Sequence, residues 1–505
     1  MAMVLCAAAA AAVTACTASG HTEAAGMGQQ AAGGQGGAAG DPPAARTQPP
    51  SAAVSVLAST APDALTVTFA RRLFSSAPVV VVARSTGAAL PAAERAATAA
   101  HAPLLLSAAP VSAPLVAEIR NLHPHAVLAA GLAPAELAAR LPGVSVVTSA
   151  ADLPATGAPA PLRGVAVLVH RAASGPAAGA VTTTAHVAGA EVVAVAGDDP
   201  RADPAAISAL ANAKPREVLA IGRGFGPAAL LADRVAVAAT GTQLPGGGQV
   251  LFPGHRLVAL YGHPGDPGLG VLGRQDLPAS IARAQRTAAL YRRLSRVPVI
   301  PAFEVIASVA QGSPGAGGDY SYESSVSSLR PWVRRATAAG MYVILDLQPG
   351  RANLLTQAKR YQALLAEPDV GLALDAEWKL QPGQMPLHQI GSVSIEEVNS
   401  VVRWLAALTA RDHLPQKLLV LHQFRLSMIS GERHLDTGHD DLAILIHMDG
   451  QGTPSMKQQT WDAVTGAAPK RVFFGWKNFY VNDHPMLSPR ETMTKTPTPV
   501  MISYQ

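Results

Sequence analysis

The residues best suited to chemistry are carboxylates in the C-terminal half. Asp375 and Glu377 stand two positions apart, Asp346 is followed at the same interval by Gln348, and Glu304, within the apolar run Val299–Ile306, and Asp449, just after Ala443–Met448, are further acids. Several carboxylates held close together cannot all ionise without cost; repulsion and burial raise one pKa while another stays low. One residue type then supplies a general acid and a base or nucleophile. Cleavage of a glycosidic bond needs this pair, and its separation decides between inversion and retention. Glu377 is the expected acid, Asp375 or Asp346 the base or nucleophile, and Glu304 and Asp449 supporting carboxylates. Trp378, Trp476 and Tyr480 offer faces for stacking sugars. Arg425 and Lys477 offer charge for an anionic substituent, and Gln348, Gln423, His263 and Tyr504 further polar contacts. His263, His422 and His447 are metal-ligand types that could join Asp449, but no HxH or HExxH spacing links them. They are expected to be packed or surface histidines, with no metal and no cofactor.

These side chains converge only if the fold brings them to one place. From residue 255 the chain gives eight β-type runs: Leu257–Gly262, Val299–Ile306, Tyr342–Leu347, Gly371–Glu377, Leu418–Phe424, Ala443–Met448, Val472–Trp476 and Val500–Tyr504. Amphipathic helical stretches separate most of them, the clearest being Ala279–Leu294, Val326–Ala339, Leu354–Leu365, Ile395–Ala410 and Ser455–Val464. This count and spacing predict an α/β fold, a (β/α)8 TIM-like barrel over 251–505, with an open doubly wound sheet as the alternative. In a barrel the chemistry lies at the C-terminal strand ends, where all of the candidate acids fall. Strand alternation puts Ala373, Asp375 and Glu377 on one face.

The composition changes near residue 250. Only Phe69, Phe74 and Phe225 among the aromatic residues precede it, and Gly246-Gly247-Gly248 marks the boundary. Residues 51–245 alternate apolar runs (Val79–Ala83, Pro103–Ser107, Ala126–Gly131, Val144–Thr148, then Val165–His170, Glu191–Gly197, Glu217–Gly222) with Ala-rich helical stretches. This predicts parallel, Rossmann-like βαβ units. Pro124–Gly131 matches Pro215–Gly222 at a shift of about 90 residues, which reads as a duplication. Gly222-Arg223-Gly224-Phe225-Gly226 lacks the third glycine spacing and the acidic residue of a dinucleotide site, and reads as a Gly-rich turn.

Four resemblances follow from these strings. Residues 1–16, MAMVLCAAAAAAVTAC, resemble a lipoprotein signal peptide ending in a lipobox, Val13-Thr14-Ala15-Cys16. This implies lipidation at Cys16 and a position on the outer face of the cytoplasmic membrane. The Ala-, Gly- and Gln-rich residues 17–50 read as a disordered linker. The pattern Ala102–Ser107, helix, Ala126–Gly131, helix, Val144–Thr148 is similar to type 2 cell-wall-binding repeats, implying association with a wall polymer. Residues 251–505 resemble an uncharacterised actinobacterial lipoprotein family. That likeness is carried by Phe252-Pro253-Gly254, Gly318–Ser324, Leu345–Arg351, His422–Ile429, His447–Gly452 and Gly475–Tyr480. Asp375-Ala376-Glu377 also looks like the D-x-E ending of strand four in several barrel glycoside hydrolases, although Val370 and Ala373 replace the earlier acids of the chitinase pattern.

Charge and cysteine usage narrow the classes. The 505 residues carry 39 Lys+Arg and 34 Asp+Glu, a net +5 with no basic stripe, so nucleic acid is not an expected partner. Cys6 and Cys16 are the only cysteines, which excludes a disulfide scaffold and a Cys-based zinc site in the folded body. Hydrophobic residues form 49% of the chain and charged ones 14%, as in a folded protein. The expectation is a lipid-anchored envelope protein whose partner is a cell-wall polymer or extracellular glycan, with the barrel as a glycoside hydrolase. The alternative is a non-catalytic cell-wall- or polysaccharide-binding lipoprotein.

Overall fold

Eight strands of the C-terminal half are buried along nearly their whole length: β1 (Arg256–Gly262), β2 (Val299–Ala310), β3 (Tyr342–Leu347), β4 (Val370–Asp375), β5 (Lys417–Gln423), β6 (Leu442–Met448), β7 (Phe473–Asn478) and β8 (Met501–Tyr504). Burial on both faces is why they read as continuous apolar runs. The computed structural model describes residues 41–505. Each strand pairs in parallel with the next, and β1 pairs with both β2 and β8, so the sheet closes into an eight-stranded parallel barrel. Closure rules out the open sheet. All eight predicted runs became strands, displaced by one or two residues at most of their ends and by four at the end of β2.

Helices Leu277–Ala289, Val326–Ala338, Leu354–Arg360, Ile395–Arg411 and Pro454–Ala467 surround the barrel. Ile395–Arg411 shows why they form. Its buried Ile395, Val398, Val402, Leu405 and Thr409 recur at helical spacing, and the Ser394 side chain caps its start by accepting the Glu397 N–H at 3.3 Å. Short helical turns, Leu426–Met428 and Glu432–His434, join β5 to β6 in place of a long helix.

Alternate residues fill the barrel. Leu257, Ala259, Ile300, Ala302, Tyr342, Ile344, Ala373, Leu418, Val420, Ala443, Leu445 and Met501 form one apolar cluster. Leu244, Leu251 and Phe252 join it and close the end opposite the candidate site. They arrive there through Gly246-Gly247-Gly248, all at positive φ, where a Cβ on Gly246 would press on Ile300 and Pro298. The compositional boundary is thus the turn that feeds the barrel floor.

Before it lie two four-stranded parallel sheets. One runs Leu104–Ser107, Val79–Arg84, Ala126–Ala130, Ser145–Val147; the other runs Val54–Leu57, Glu217–Ile221, Val165–His170, Glu191–Val195. The second borrows Val54–Leu57 from ahead of the first. Structure also begins earlier than expected: Ala44 bridges Gly157, and Arg46–Thr47 pairs with Phe74–Ser76. Residues 44–47 of the linker expected over 17–50 are therefore paired, because these backbone groups find partners more than twenty residues away; residues 17–40 lie outside the described residues. Cys16 and the expected leader lie outside the described residues. No helix among the described residues is long and apolar enough to cross a membrane.

Pro42–Gln505 forms one compact unit. Asp440, just ahead of β6, holds two arginines of the sheet region, Arg201 at 2.5 Å and Arg234 at 2.8 Å, and Asp199 shares them. Arg201 is almost wholly buried. Removing one carboxylate from a buried guanidinium leaves charge poorly compensated. Asp440→Ala should therefore cost about 2 kcal/mol, read as a lower denaturation midpoint at unchanged slope.

Candidate active site

The apolar filling gives way at the C-terminal end of the barrel to a polar layer to which every strand contributes. Continuing the inward alternation, β1 presents Tyr261, β2 Glu304, β3 Asp346, β4 Asp375, β5 His422, β6 His447, β7 Lys477 and β8 Ser503. Asp449 and Glu377 stand just beyond β6 and β4. All of these but Glu377 are nearly or fully buried.

His422 is the hub. Its Nε2 lies 3.0 Å from Glu304 and 3.7 Å from Asp346, and its Nδ1 lies 3.1 Å from Asp449. Tyr261 donates its hydroxyl to the second Asp346 oxygen at 2.9 Å and accepts from the Gln348 amide at 3.2 Å. Lys477 Nζ sits over the Tyr261 ring, 3.5 Å from its centre. His447 packs edge-on to His422 and contacts the Ser503 hydroxyl at 2.7 Å. Gly475, its partner on β7, admits that ring, since a Cβ there would overlap the His447 imidazole.

Burial and charge drive the protonation states apart. Burial alone would lower the His422 pKa, but Glu304, Asp449 and Asp346 raise it well above the ordinary histidine value, so it is an imidazolium. Burial followed by the charges of His422 and Lys477 pushes His447 well below that value, so it is neutral. Asp449 feels the upward push of burial, yet its hydrogen bond to His422 and the nearby cations carry it below the ordinary aspartate value. Asp375 stands well above, through burial and then through Asp346, Asp449 and Glu377. Burial and the Glu304 charge, opposed by His422, raise Asp346 to about 6. Burial and then Asp449 raise Glu377 to about 7, against the pull of Lys477, His422 and Arg425.

A cavity of about 370 Å³ opens over this layer, with Tyr261, Gln348, Asp375, Glu377, Asp449 and Lys477 in its wall. One oxygen each of Asp375, Glu377 and Asp449 lies within 4.8 Å of the others. Three hard oxygens at this spacing could hold a divalent cation, although the cationic His422 and Lys477 already supply compensating charge beside them.

The expected carboxylates Glu377, Asp375, Asp346, Glu304 and Asp449 thus converge, as do Gln348, Lys477 and the half-buried Trp378. Five other expected contacts do not. Trp476 points outward, fully buried against Trp461 and Met448, and donates to Asn478. Gln423 faces away from the barrel interior and donates to Glu432 at 2.8 Å. Tyr504 packs outside β8 with its hydroxyl 2.5 Å from that of Tyr291. Tyr480 stacks on Tyr504 beneath Arg283. His263 bonds to Ser324 and lines a separate cavity. The first three fail for one reason: in a strand a one-residue step reverses the face. His422, His447, Tyr261 and Ser503 were not placed in the site by the sequence reading. The available signal was parity, since His422 continues Leu418 and Val420.

Compared with known proteins, the chain matches no family model and no curated sequence.

A carboxyl whose pKa is raised in the fold keeps a proton that the unfolded chain releases, so its effect on stability worsens as pH rises above the ordinary aspartate range. Asp375→Asn removes this titration and keeps an oxygen for the Glu377 N–H, which Asp375 accepts at 3.3 Å. At about pH 8 the variant should melt a few degrees above the parent, and the gap should close towards pH ~4. A parent that melts higher at pH 8 contradicts this reading of Asp375.

Proposed function

We propose that the barrel hydrolyses glycosidic bonds, with Glu377 as general acid and Asp449 as its ionised partner. The observation that carries this reading is the opposed pair itself. Glu377 is held near neutrality in the cavity wall, while Asp449 is kept ionised by His422 on one oxygen and has its other oxygen unpartnered. One residue can then give a proton to a leaving oxygen while the other stabilises or attacks the developing oxocarbenium centre. The sequence reading favoured Asp375 or Asp346 as partner. Asp375 is less suited because its pKa is high, and Asp346 because the Tyr261 hydroxyl and His422 surround it. Carboxylate oxygens within 4.8 Å lie closer to the spacing of retaining than of inverting enzymes.

The steps follow from the chain's own groups. A sugar seated in the cavity places its glycosidic oxygen at Glu377 and its anomeric carbon at Asp449. Glu377 protonates the leaving oxygen as Asp449 bonds to the anomeric carbon. Glu377, now ionised, takes a proton from water, which displaces Asp449 and restores both groups. Trp378 offers a stacking face.

The setting we infer is the cell envelope, with Cys16 as a lipid anchor and a cell-wall polymer or extracellular glycan as partner. The sheet region would be a duplicated wall-binding unit. In support, the matching segments Pro124–Gly131 and Pro215–Gly222 supply strands at corresponding inner positions of the two sheets. One observation favours the non-catalytic alternative: three of the five carboxylates contact His422, an arrangement that also serves simply to neutralise buried charge.

The test is reducing-end release by the full chain from peptidoglycan and a panel of α- and β-glucans. Glu377→Gln and Asp449→Asn should each lower kcat by roughly 10²–10⁴-fold, and the first product should keep its anomeric configuration. Because Glu377 must hold its proton, kcat/KM should fall as pH rises through about 7. Equal activity in parent and both variants removes the mechanism. Binding without release moves the barrel to the polysaccharide-binding reading.

A further inference from the structure

A second cavity, of about 480 Å³, adjoins the first. The two share Glu377, Trp378 and Leu387 as a common wall. Glu377 therefore sits between two spaces. The inner one holds Asp449, Asp375 and Lys477; the outer one is lined by Arg425, His388 and the apolar Leu380, Pro386 and Ile390.

The two cavities treat charge differently. In the inner one the cations are buried: His422, beneath the wall, is held by three carboxylates, and Lys477, almost wholly buried, has its Nζ over the Tyr261 ring. Arg425 in the outer one forms no ion pair and no side-chain hydrogen bond among the described residues; its guanidinium is only 5.9 Å from the centre of the Phe424 ring. Glu377 is the only carboxylate in that wall. An exposed guanidinium with its fork of donors free, beside a half-buried indole, suits a ring that carries a planar or tetrahedral oxyanion.

We propose that the outer cavity is the subsite for the sugar on the far side of the scissile bond, and that this sugar carries an oxyanion substituent recognised by Arg425. The inference rests on the glycan reading above and adds the class of substrate to it: an acidic glycan, bearing carboxylate or phosphate, rather than a neutral one. Lys477, expected from sequence to share this role, is almost wholly buried over the Tyr261 ring in the inner layer. Arg425 is a specificity residue and takes no part in bond cleavage.

Affinity electrophoresis of the full chain separates the possibilities. The gels contain polygalacturonate, its fully methyl-esterified form or a phosphomannan, and the proteins are the parent, Arg425→Gln and Arg292→Gln. Arg292 flanks a third cavity, with Val299 and Gly340 at the far end of the barrel, so its variant loses the same charge elsewhere. The parent should be retarded by polygalacturonate or the phosphomannan with an apparent affinity about tenfold tighter than for the ester. Arg425→Gln should lose this preference and Arg292→Gln should keep it. Which polymer retards the parent identifies the oxyanion. Equal retardation by charged and esterified polymer, loss of preference in both variants, or no retardation in any gel overturns the proposal. Discrimination without reducing-end release leaves the subsite standing and removes only the hydrolase reading. Release from neutral polymers without discrimination does the reverse.

Discussion

A single buried imidazolium holds the mouth of this barrel together. Five carboxylates, Glu304, Asp346, Asp375, Glu377 and Asp449, lie in or just beyond one layer, and most of that layer is sealed from water. Unpaired charge in such a place is too costly to persist, so each acid must find a cation or keep its proton. His422 decides which does which. It reaches Glu304 and Asp346 with one nitrogen and Asp449 with the other, bridging strands β2, β3 and β5 and the end of β6. Asp375 and Glu377 are left without a direct cation and are pushed towards protonation, as is Asp346, which His422 reaches only at 3.7 Å. The opposed shifts of Asp449 and Glu377 thus follow in part from where one histidine can reach.

The rest of the barrel keeps that histidine in place. His447 is neutral and packed edge-on, so it crowds His422 without adding charge. Gly475 on the neighbouring strand leaves room for His447. Tyr261 occupies the remaining Asp346 oxygen and carries Lys477 over its ring. Leu244, Leu251 and Phe252 close the other end, so the polar layer faces outward only at the mouth.

The barrel strands could be read from sequence because parallel strands buried on both faces are uninterrupted apolar runs between helices with clear amphipathic spacing. Glu304, Asp346 and Asp375 could be read for a related reason: each is an acid within or at the end of an otherwise apolar run, where an inward position at the mouth suits it. The aromatic and amide contacts could not. Trp476 and Lys477 are adjacent, as are Gln423 and His422, and strand ends uncertain by one residue leave their faces unassigned. Trp476 went to the helix side, where Trp461 and Met448 receive it. His422 had no flanking motif, and its partners lie 27 to 118 positions away. Val54–Leu57 was missed as a strand because it is short and its partner is Glu217–Ile221, beyond an entire intervening sheet.

That borrowed strand has a mechanical consequence. Val54–Leu57 lies in parallel register along Glu217–Ile221 at the edge of the second sheet, while the first sheet is built wholly from the chain between them. Tension applied from the N-terminal side meets the Ala44–Gly157 bridge and the Arg46–Thr47 pair first and then this strand. A parallel strand pulled along its own axis loads its ladder in shear, with several hydrogen bonds sharing the force instead of opening one by one. The strand therefore acts as a clasp: load that passes the Arg46–Thr47 pair enters the second sheet through it, and from there reaches the barrel through Arg201, Arg234 and Asp440.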